Sequence, residues 1–440
     1  MEQRRKNLTQ LFIPICLETL LYMLSGMVDT LMLSSVNDQA VGAVGTANTY
    51  IGIFIIMFSV ISSGMVAVMT QNIGAGRPGV AYQARQLGLA FNAVLGVIMS
   101  LFLSLGAGTI LSGVGVADAL MQPAKTYLQI VGGFCILNAL IPICSSYLRA
   151  FGFSKEPLYA SIIGNVINFC LNAFFLFVLH KGVAGVATAT VISRIINLVI
   201  VVLLGAVLVK AKQHPERESN RAVMGQIIRI GLPSACETAI YNVSMTLVIR
   251  FLNQMDAQGL NVTARSYTMQ ITNFSYCVGA ALAQANAIMT GWRIGAKKYE
   301  ECDRGTRKAV IYGLITATCF SAAFAMSGHF IIHIFTDDTQ MINLVVKLLI
   351  VDIFLEFGRV TNLVYGQALK TSGDAIFPVI MGAIFMYLFA VGGTYFLGIH
   401  MGLQAVGAYI AMAADECARA VGMVFRWKSG KWKSKSLVEL

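Results

Sequence analysis

The sequence predicts an all-α polytopic membrane protein, with twelve transmembrane helices in two pseudo-symmetric six-helix lobes. Three observations carry this. Of 440 residues, 57% are hydrophobic and only 12% charged, where soluble domains carry about 25% charged residues. Basic residues crowd alternate loops. Four segments recur in the same order at an offset of about 220 residues, the signature of a duplicated unit.

Apolar runs long enough to cross a bilayer, about 20 residues, fall at approximately 9–34, 45–70, 86–112, 122–149, 157–180, 183–209, 226–252, 264–290, 308–333, 342–369, 376–399 and 402–426. Backbone groups in lipid must be satisfied within their own segment, so each run is expected to be a helix. A β-barrel would show alternating segments of about 10 residues instead. The opening "MEQRRKNLTQLFIP" has the basic start of a signal peptide. The apolar run behind it is too long for such a leader and lacks a small-residue cleavage site, so it reads as the retained first span.

One set of loops holds 25 of the 32 basic residues, among them Arg4, Arg5, Lys6, Arg149, Lys155, Lys210, Lys212, Lys370 and the run from Arg419 to Lys435. The alternate set holds Lys125, Lys181, Arg250, Arg265 and Lys347, while Arg194 and Arg359 fall inside spans. The positive-inside rule then puts both termini in the cytoplasm, in a multi-pass protein of the cell membrane. The net charge of +11 is therefore a topology signal, with some attraction to anionic lipid, rather than a nucleic-acid footprint. The nine cysteines form no C-x-x-C pair and lie mostly in apolar runs, as small packing residues do.

The most polar connection, "KAKQHPERESNR", sits at mid-chain. It divides the sequence into a first lobe (1–209), a cytoplasmic linker (210–225), a second lobe (226–428) and a basic cytoplasmic tail (429–440). "PICLETLLY" from Pro14 recurs as "PSACETAIY" from Pro233, and "MTQNIGAG" as "MTGWRIGAK". "LRAFGFSKEP" recurs as "LKTSGDAIFP", and "GVAGVATA" as "GLQAVGAYIA". Six spans per half make the repeat parallel. Transporters built this way bind substrate near the bilayer midplane between halves that rock. A duplicated passive channel is the weaker reading.

The same residues carry a resemblance. "GMVDTLMLS" in the first span, "TQNIGAG", "LRAFG", "GVAGVATATVIS", "LKTSGD" and "SGKW" are similar to segments of the multidrug and toxic compound extrusion (MATE) family, over about residues 10 to 432. The resemblance implies secondary antiport: entry of protons or sodium ions drives export of small organic cations and other amphipathic compounds. It also places the chain near flippases of lipids and lipid-linked oligosaccharides. No cofactor is expected beyond the coupling ion. A monomer is the default.

Ionisable groups within spans cost a few kcal/mol each and need a partner, a wet cavity or a role. Asp29 matches the family's first-span aspartate, which implies ion coupling by proton exchange or by sodium ligation through its oxygens. Its repeat counterpart is Val248. Asn165, Asn168 and Asn172 share one face of the fifth span. Asn168 matches a family asparagine near the coupling site, and Asn172 can hydrogen-bond Asp29 without titrating. The alternative is polar helix packing. Glu18 lies on the same helix face as Asp29, about 16 Å away, with Tyr22 in reach to donate to it. Glu237 and Tyr241 repeat that arrangement in the seventh span, and the two glutamates suit a cationic substrate. Asp352, Glu356 and Arg359 fall on one face of the tenth span. Arg359 can neutralise Glu356 and leave Asp352 free, and a wholly structural ion cluster is an equal reading. Arg194 and the Asp415, Glu416 and Arg419 group read as structural. His329 and His333, near Asp337 and Asp338, read as interfacial residues, not as a metal site. No phosphate-binding G-x-x-x-x-G-K-[ST], nucleophile elbow or H-E-x-x-H is present, so neither an ATP motor nor an enzyme is expected.

Overall fold

Each apolar run folds as helix. The computed structural model describes residues 6–34, 38–113, 116, 118–210, 214–256, 259–333 and 335–438. Arg4, Arg5 and Lys212 of the basic loop set lie outside these. The helical rods are α1 (Leu8–Ser34), α2 (Asp38–Gly74), α3 (Pro78–Gly113), α4 (Asp118–Gly132 and Ile136–Ala150), α5 (Lys155–Val178) and α6 (Gly182–Leu208). They continue as α7 (Asn220–Met255), α8 (Leu260–Gly295), α9 (Tyr299–His333), α10 (Thr339–Ser372), α11 (Ile376–His400) and α12 (Gln404–Lys428). Each overlaps one predicted span, and no strand occurs among the described residues. The protein is an all-α membrane protein with its helices in two lobes.

Among the described residues, seven rods are long and apolar enough to cross a membrane unaided, and α4 joins them as a span bent by 43° at its break. Of the other four, α7, α10 and α12 carry ionisable side chains in mid-length, such as Glu237, Asp352 and Glu416, and α8 carries Arg265 in its second turn. Helices of 36 residues, such as α3 and α8, extend about 54 Å and overrun a hydrocarbon core of about 30 Å, so their polar ends stand outside it. Wider π-helical turns interrupt α4 (Leu128–Gly132), α5 (Phe174–Val178) and α11 (Met386–Val391 and Thr394–His400). The one in α5 begins two residues after Asn172, and such turns are frequent beside functional groups.

The chain divides into two compact units, Met1–Leu232 and Pro233–Leu440. The first is built on a core that includes Phe58, Leu103, Leu128, Leu137 and Leu176. The second packs around Val248, Leu252, Ile342, Leu348 and Tyr409. The repeat reaches the backbone. Left-handed positions pair off as Gly76 with Lys297 and Gly152 with Gly373, each 221 apart. His180 pairs with Gly402 and Gly182 with Gln404, each 222 apart. The glycines of "LRAFG" and "LKTSG" thus end α4 and α10 in a conformation that an L side chain rarely adopts.

In the second unit α10 and α12 cross with backbones almost touching at Gly358. A Cβ there would lie 2.6 Å from the Cys417 nitrogen and 2.7 Å from the Glu416 carbonyl carbon. Small residues at such crossings let helices approach where lipid supplies no hydrophobic drive. Gly358→Ala must push the helices apart and is expected to cost about 1–3 kcal/mol. A fall in thermal midpoint of the detergent-purified protein would register it. Gly225→Ala, with nothing within 4 Å of the added atom, should leave the midpoint unchanged.

The basic tail folds back on this unit. Gly430 turns the chain into a 3₁₀ turn, Lys431–Lys435. Trp432 is 1% exposed, stacks on Trp427 with centroids 4.2 Å apart, and donates its indole N–H to the Trp427 carbonyl at 3.0 Å. Trp427 in turn donates to Asp303 Oδ1 at 2.8 Å. Arg426 donates to both Asp374 oxygens, at 2.6 and 3.1 Å.

Candidate functional site

In the first unit, α1 and α5 bring the sequence-predicted trio together. Asn172 Nδ2 donates to Asp29 Oδ1 at 2.6 Å and to Asn168 Oδ1 at 3.2 Å. Asn172 is fully buried, Asn168 is 5% exposed, and Asp29 is half-buried. The Asn172 Oδ1 atom has no partner among the described residues. Arg194 of α6 acts electrostatically on both Asp29 and Tyr127 of α4. Asp29 therefore has a neutral amide as its hydrogen-bond partner, with a guanidinium nearby. The Asn172 amide thus brings one Asp29 oxygen and the Asn168 oxygen to the same nitrogen, oxygens of the kind that suit a proton or a hard monovalent cation.

Glu18, at the other end of the α1 face, does not hydrogen-bond Tyr22. Its carboxylate lies 2.6 Å from the Arg149 guanidinium on the last turn of α4. A charged guanidinium outcompetes a phenol for a carboxylate, and Tyr22 is left 68% exposed. In the second unit Glu237 Oε2 lies 2.6 Å from Lys370 Nζ on the last turn of α10. Arg149 and Lys370 are repeat counterparts, from "LRAFG" and "LKTSG", so this is one contact made twice. It explains the repeated Pro-x-x-x-Glu-Thr: each unit ties its first helix to its fourth through that glutamate. Lys370→Glu alone is expected to cost about 2 kcal/mol of stability through the lost charge-assisted contact. The exchange of both residues (Glu237→Lys with Lys370→Glu) should recover most of it in a thermal melt.

The second unit also encloses a cavity of about 420 Å³ between α7, α8, α10, α11 and α12. Glu237, Tyr241, Asp352, Arg359 and Glu416 line it, as do Arg265, Lys370 and Arg419. Arg359 pairs with Glu356 and reaches Glu416 at 3.7 Å. Glu356 is fully buried and also accepts from the Ser275 hydroxyl at 3.2 Å. Arg419 binds Asp415 at 2.7 Å and Glu416 at 2.9 Å, and Asn362 donates to Glu416 at 3.1 Å. Asp352, 2% exposed, stands apart: its Oδ2 has no hydrogen-bond partner among the described residues. Arg359 thus neutralises Glu356 and leaves Asp352 open to the cavity.

The basic side chains are what sequence reasoning missed. Arg265 and Lys370 belong to helices and face the cavity, although hydropathy puts them in loops. The walls are accordingly less acidic than the span sequences imply: three lining acids (Glu237, Asp352, Glu416) meet four lining bases (Arg265, Arg359, Lys370, Arg419), with Glu356 and Asp415 paired to two of those bases from behind. One signal was available. Arg149 and Lys370 recur at the offset of the glutamates they bind. His333 Nδ1 lies 3.6 Å from Asp337, both exposed, and no metal-binding group of three occurs among the described residues.

Two helical units that repeat each other's turns and ion pairs, each with ionisable groups held inside membrane-length helices, define a multi-pass membrane transporter built by duplication. It is not an enzyme. The MatE family model matches residues 14–174 and again residues 233–396, once per half. The chain belongs to the MatE family. It is similar to the uncharacterized transporter YisQ of Bacillus subtilis, 33% identical over 430 residues that cover 96% of this chain and 94% of the relative. It is also similar to the probable multidrug resistance protein NorM of Thermotoga maritima, 24% identical over 99% of this chain and 94% of that protein. Among solved structures, a MATE protein crystallised in a straight conformation superposes with a TM-score of 0.88 at 19% identity, covering 97% of this chain and 96% of that one.

Proposed function

We propose that this transporter is a secondary antiporter of the cell membrane, with both termini cytoplasmic, that exports cationic amphipathic compounds in exchange for protons or sodium ions. The observation that carries this is Asp29, a carboxylate inside the first helix whose hydrogen-bond partner is the neutral Asn172. A carboxylate locked to a guanidinium has no reason to exchange its cation. One held by an amide can release it, because the amide also serves the neutral acid once its oxygen turns inward. The probable multidrug resistance proteins among the relatives support the substrate class. The unpaired Asp352 supplies a negative group for the organic cation, with Glu18, Tyr22, Glu237, Tyr241 and Glu356 as further contacts. Asn168 and Asn172 support ion binding at Asp29.

The flippase reading keeps one observation in its favour: Arg265 and Arg359 both line the second-unit cavity, where an anionic headgroup would need them. Accumulation of ethidium in efflux-deficient cells separates the two readings. Active exclusion that collapses with a protonophore, or with removal of sodium, is the expected result and names the ion. Unchanged ethidium accumulation alongside faster lipid scrambling in proteoliposomes would establish the flippase.

A further inference from the structure

The second unit carries a separate cleft of about 400 Å³ at the start of α9, which shares no residue with the cavity between the helices. Glu300, Asp303, Arg304, Arg307, Lys308 and Ile311 line it, spaced so that they share one face of α9, and Lys433 of the docked turn completes it. Its charges are not balanced. Asp303 is taken up by Arg307 and by the Trp427 indole N–H. Arg304, Lys308 and Lys433 are exposed and form no ion pair among the described residues, which leaves Glu300 as the one lining acid to set against them. Three like charges gathered at one cleft repel each other, and an anion relieves them. The same face of α9 then turns apolar. Ile311, Tyr312 and Ile315 are each more than half exposed. On a helix long enough to cross a membrane, a change from basic to apolar within about 5 Å marks the level where headgroups meet acyl chains. The first unit differs at this place. At the offset of 221, Arg304, Arg307 and Lys308 correspond to Gln83, Gln86 and Leu87. Gln83 donates to the Glu218 carbonyl at 2.7 Å and to Asn220 Oδ1 at 2.6 Å, and accepts from the Glu218 N–H at 3.0 Å. One copy of the helix start is thus covered by the chain's own linker, while the other presents bases to an open cleft.

We propose that this cleft binds the phosphate of an anionic phospholipid, with Arg304, Lys308 and Lys433 around the headgroup and the acyl chains along Ile311 and Ile315. The apolar residues decide for a lipid over a free phosphate ion: Ile311 lines the cleft itself, and Ile315 continues the same exposed stripe one turn on. Basic residues at the membrane surface attract anionic lipid at about 1 kcal/mol each. A headgroup held here joins α9 to the docked turn through Lys433. The proposal is independent of what the transporter exports.

The test is native mass spectrometry of the detergent-purified full-length protein, with phosphatidylglycerol and phosphatidylcholine as probes. The wild type is expected to retain one phosphatidylglycerol about tenfold more tightly than phosphatidylcholine, the scale of one charge-assisted contact. The triple change Arg304→Gln, Lys308→Gln and Lys433→Gln should abolish that preference. A control triple in the first unit, Lys155→Gln, Lys210→Gln and Arg221→Gln, lowers the net charge equally and should keep it. All six side chains are exposed, so neither variant disturbs a core, and the wild-type comparison needs no variant at all. Equal retention of the two lipids by the wild type overturns the proposal. So does a preference that survives the first triple change, or one that both triples lose alike. Displacement of the bound phosphatidylglycerol by an equal concentration of inorganic phosphate would reveal a site for the free ion and overturn the lipid.

Discussion

Asp29→Asn is expected to abolish ion-driven export while leaving the protein folded. The substitution removes one ionisable oxygen and keeps the shape. The amide of Asn172, which donates to Asp29 at 2.6 Å, can donate equally to an asparagine oxygen. Folding therefore has little to lose, and the thermal midpoint should stay close to wild type. Coupling has everything to lose, because an amide neither binds a proton near neutral pH nor attracts a sodium ion as a carboxylate does. Export of ethidium against its gradient should fall at least about tenfold, equivalent to about 1.4 kcal/mol on the transport barrier. Wild-type export by a folded Asp29→Asn protein would remove the coupling role. Asn172→Ala should give a milder defect, since it strips the partner and keeps the acid.

The largest effect on stability is expected at Arg359. It pairs with the fully buried Glu356 and reaches Glu416 at 3.7 Å. Removing one member of a buried pair leaves the other's charge uncompensated, at about 3–5 kcal/mol. Arg359→Ala would leave Glu356 with the Ser275 hydroxyl alone. Glu416 keeps Arg419 and Asn362, so the loss should concentrate on Glu356. The check is a pairwise one. Arg359→Met should sharply lower the thermal midpoint, and adding Glu356→Gln should recover most of the fall. Failure of the second change to rescue the first would mean that Arg359 acts mainly through Glu416.

How much of this could be read in the sequence follows from the length scale of each signal. Helix positions are written in runs of about 20 apolar residues, and all twelve rods overlap the predicted runs. The duplication was legible because its turns need unusual backbone, as at Gly152 and Gly373. The neighbourhood of Asp29 and Asn172 was legible because Asn165, Asn168 and Asn172 mark one polar face of an apolar helix, and the family resemblance puts that face beside Asp29. The pairing of Arg359 with Glu356 and of Arg419 with Asp415 and Glu416 was legible too, from helical spacing within one span. The partners of Glu18 and Glu237 were not. Arg149 and Lys370 lie near helix ends, where a count of loop charges treats them as markers of orientation. Their long stems let the charged heads reach acids that hydropathy assigns to the membrane. Arg265 was hidden in the same way. The breaks in register at Leu128–Gly132 and Phe174–Val178 leave no compositional trace, since a π turn uses the same apolar residues as the helix around it.

The asymmetry of the units has a similar root. Val248, at the position of Asp29, belongs to the apolar core of the second unit. Conversely, Val131, Cys135 and Asn138 stand 221 residues before Asp352, Glu356 and Arg359, the offset at which Arg149 matches Lys370. One unit thus carries a carboxylate on its first helix and the other an ion cluster on its fourth.

The docked turn bears on what the second unit shows to water. The Trp432 ring caps Trp427, and the Lys435 carbonyl comes so close to Gly373 that a side chain there would meet it at 2.1 Å. Without Trp432, the described spans would stand as they are and one face of the Trp427 indole would lie bare beside Asp303. The turn thus works as a shield: it takes a flat aromatic surface at the end of α12 out of reach of other molecules, and it does so at a backbone position, just past the end of α10, that has no side chain to push it away.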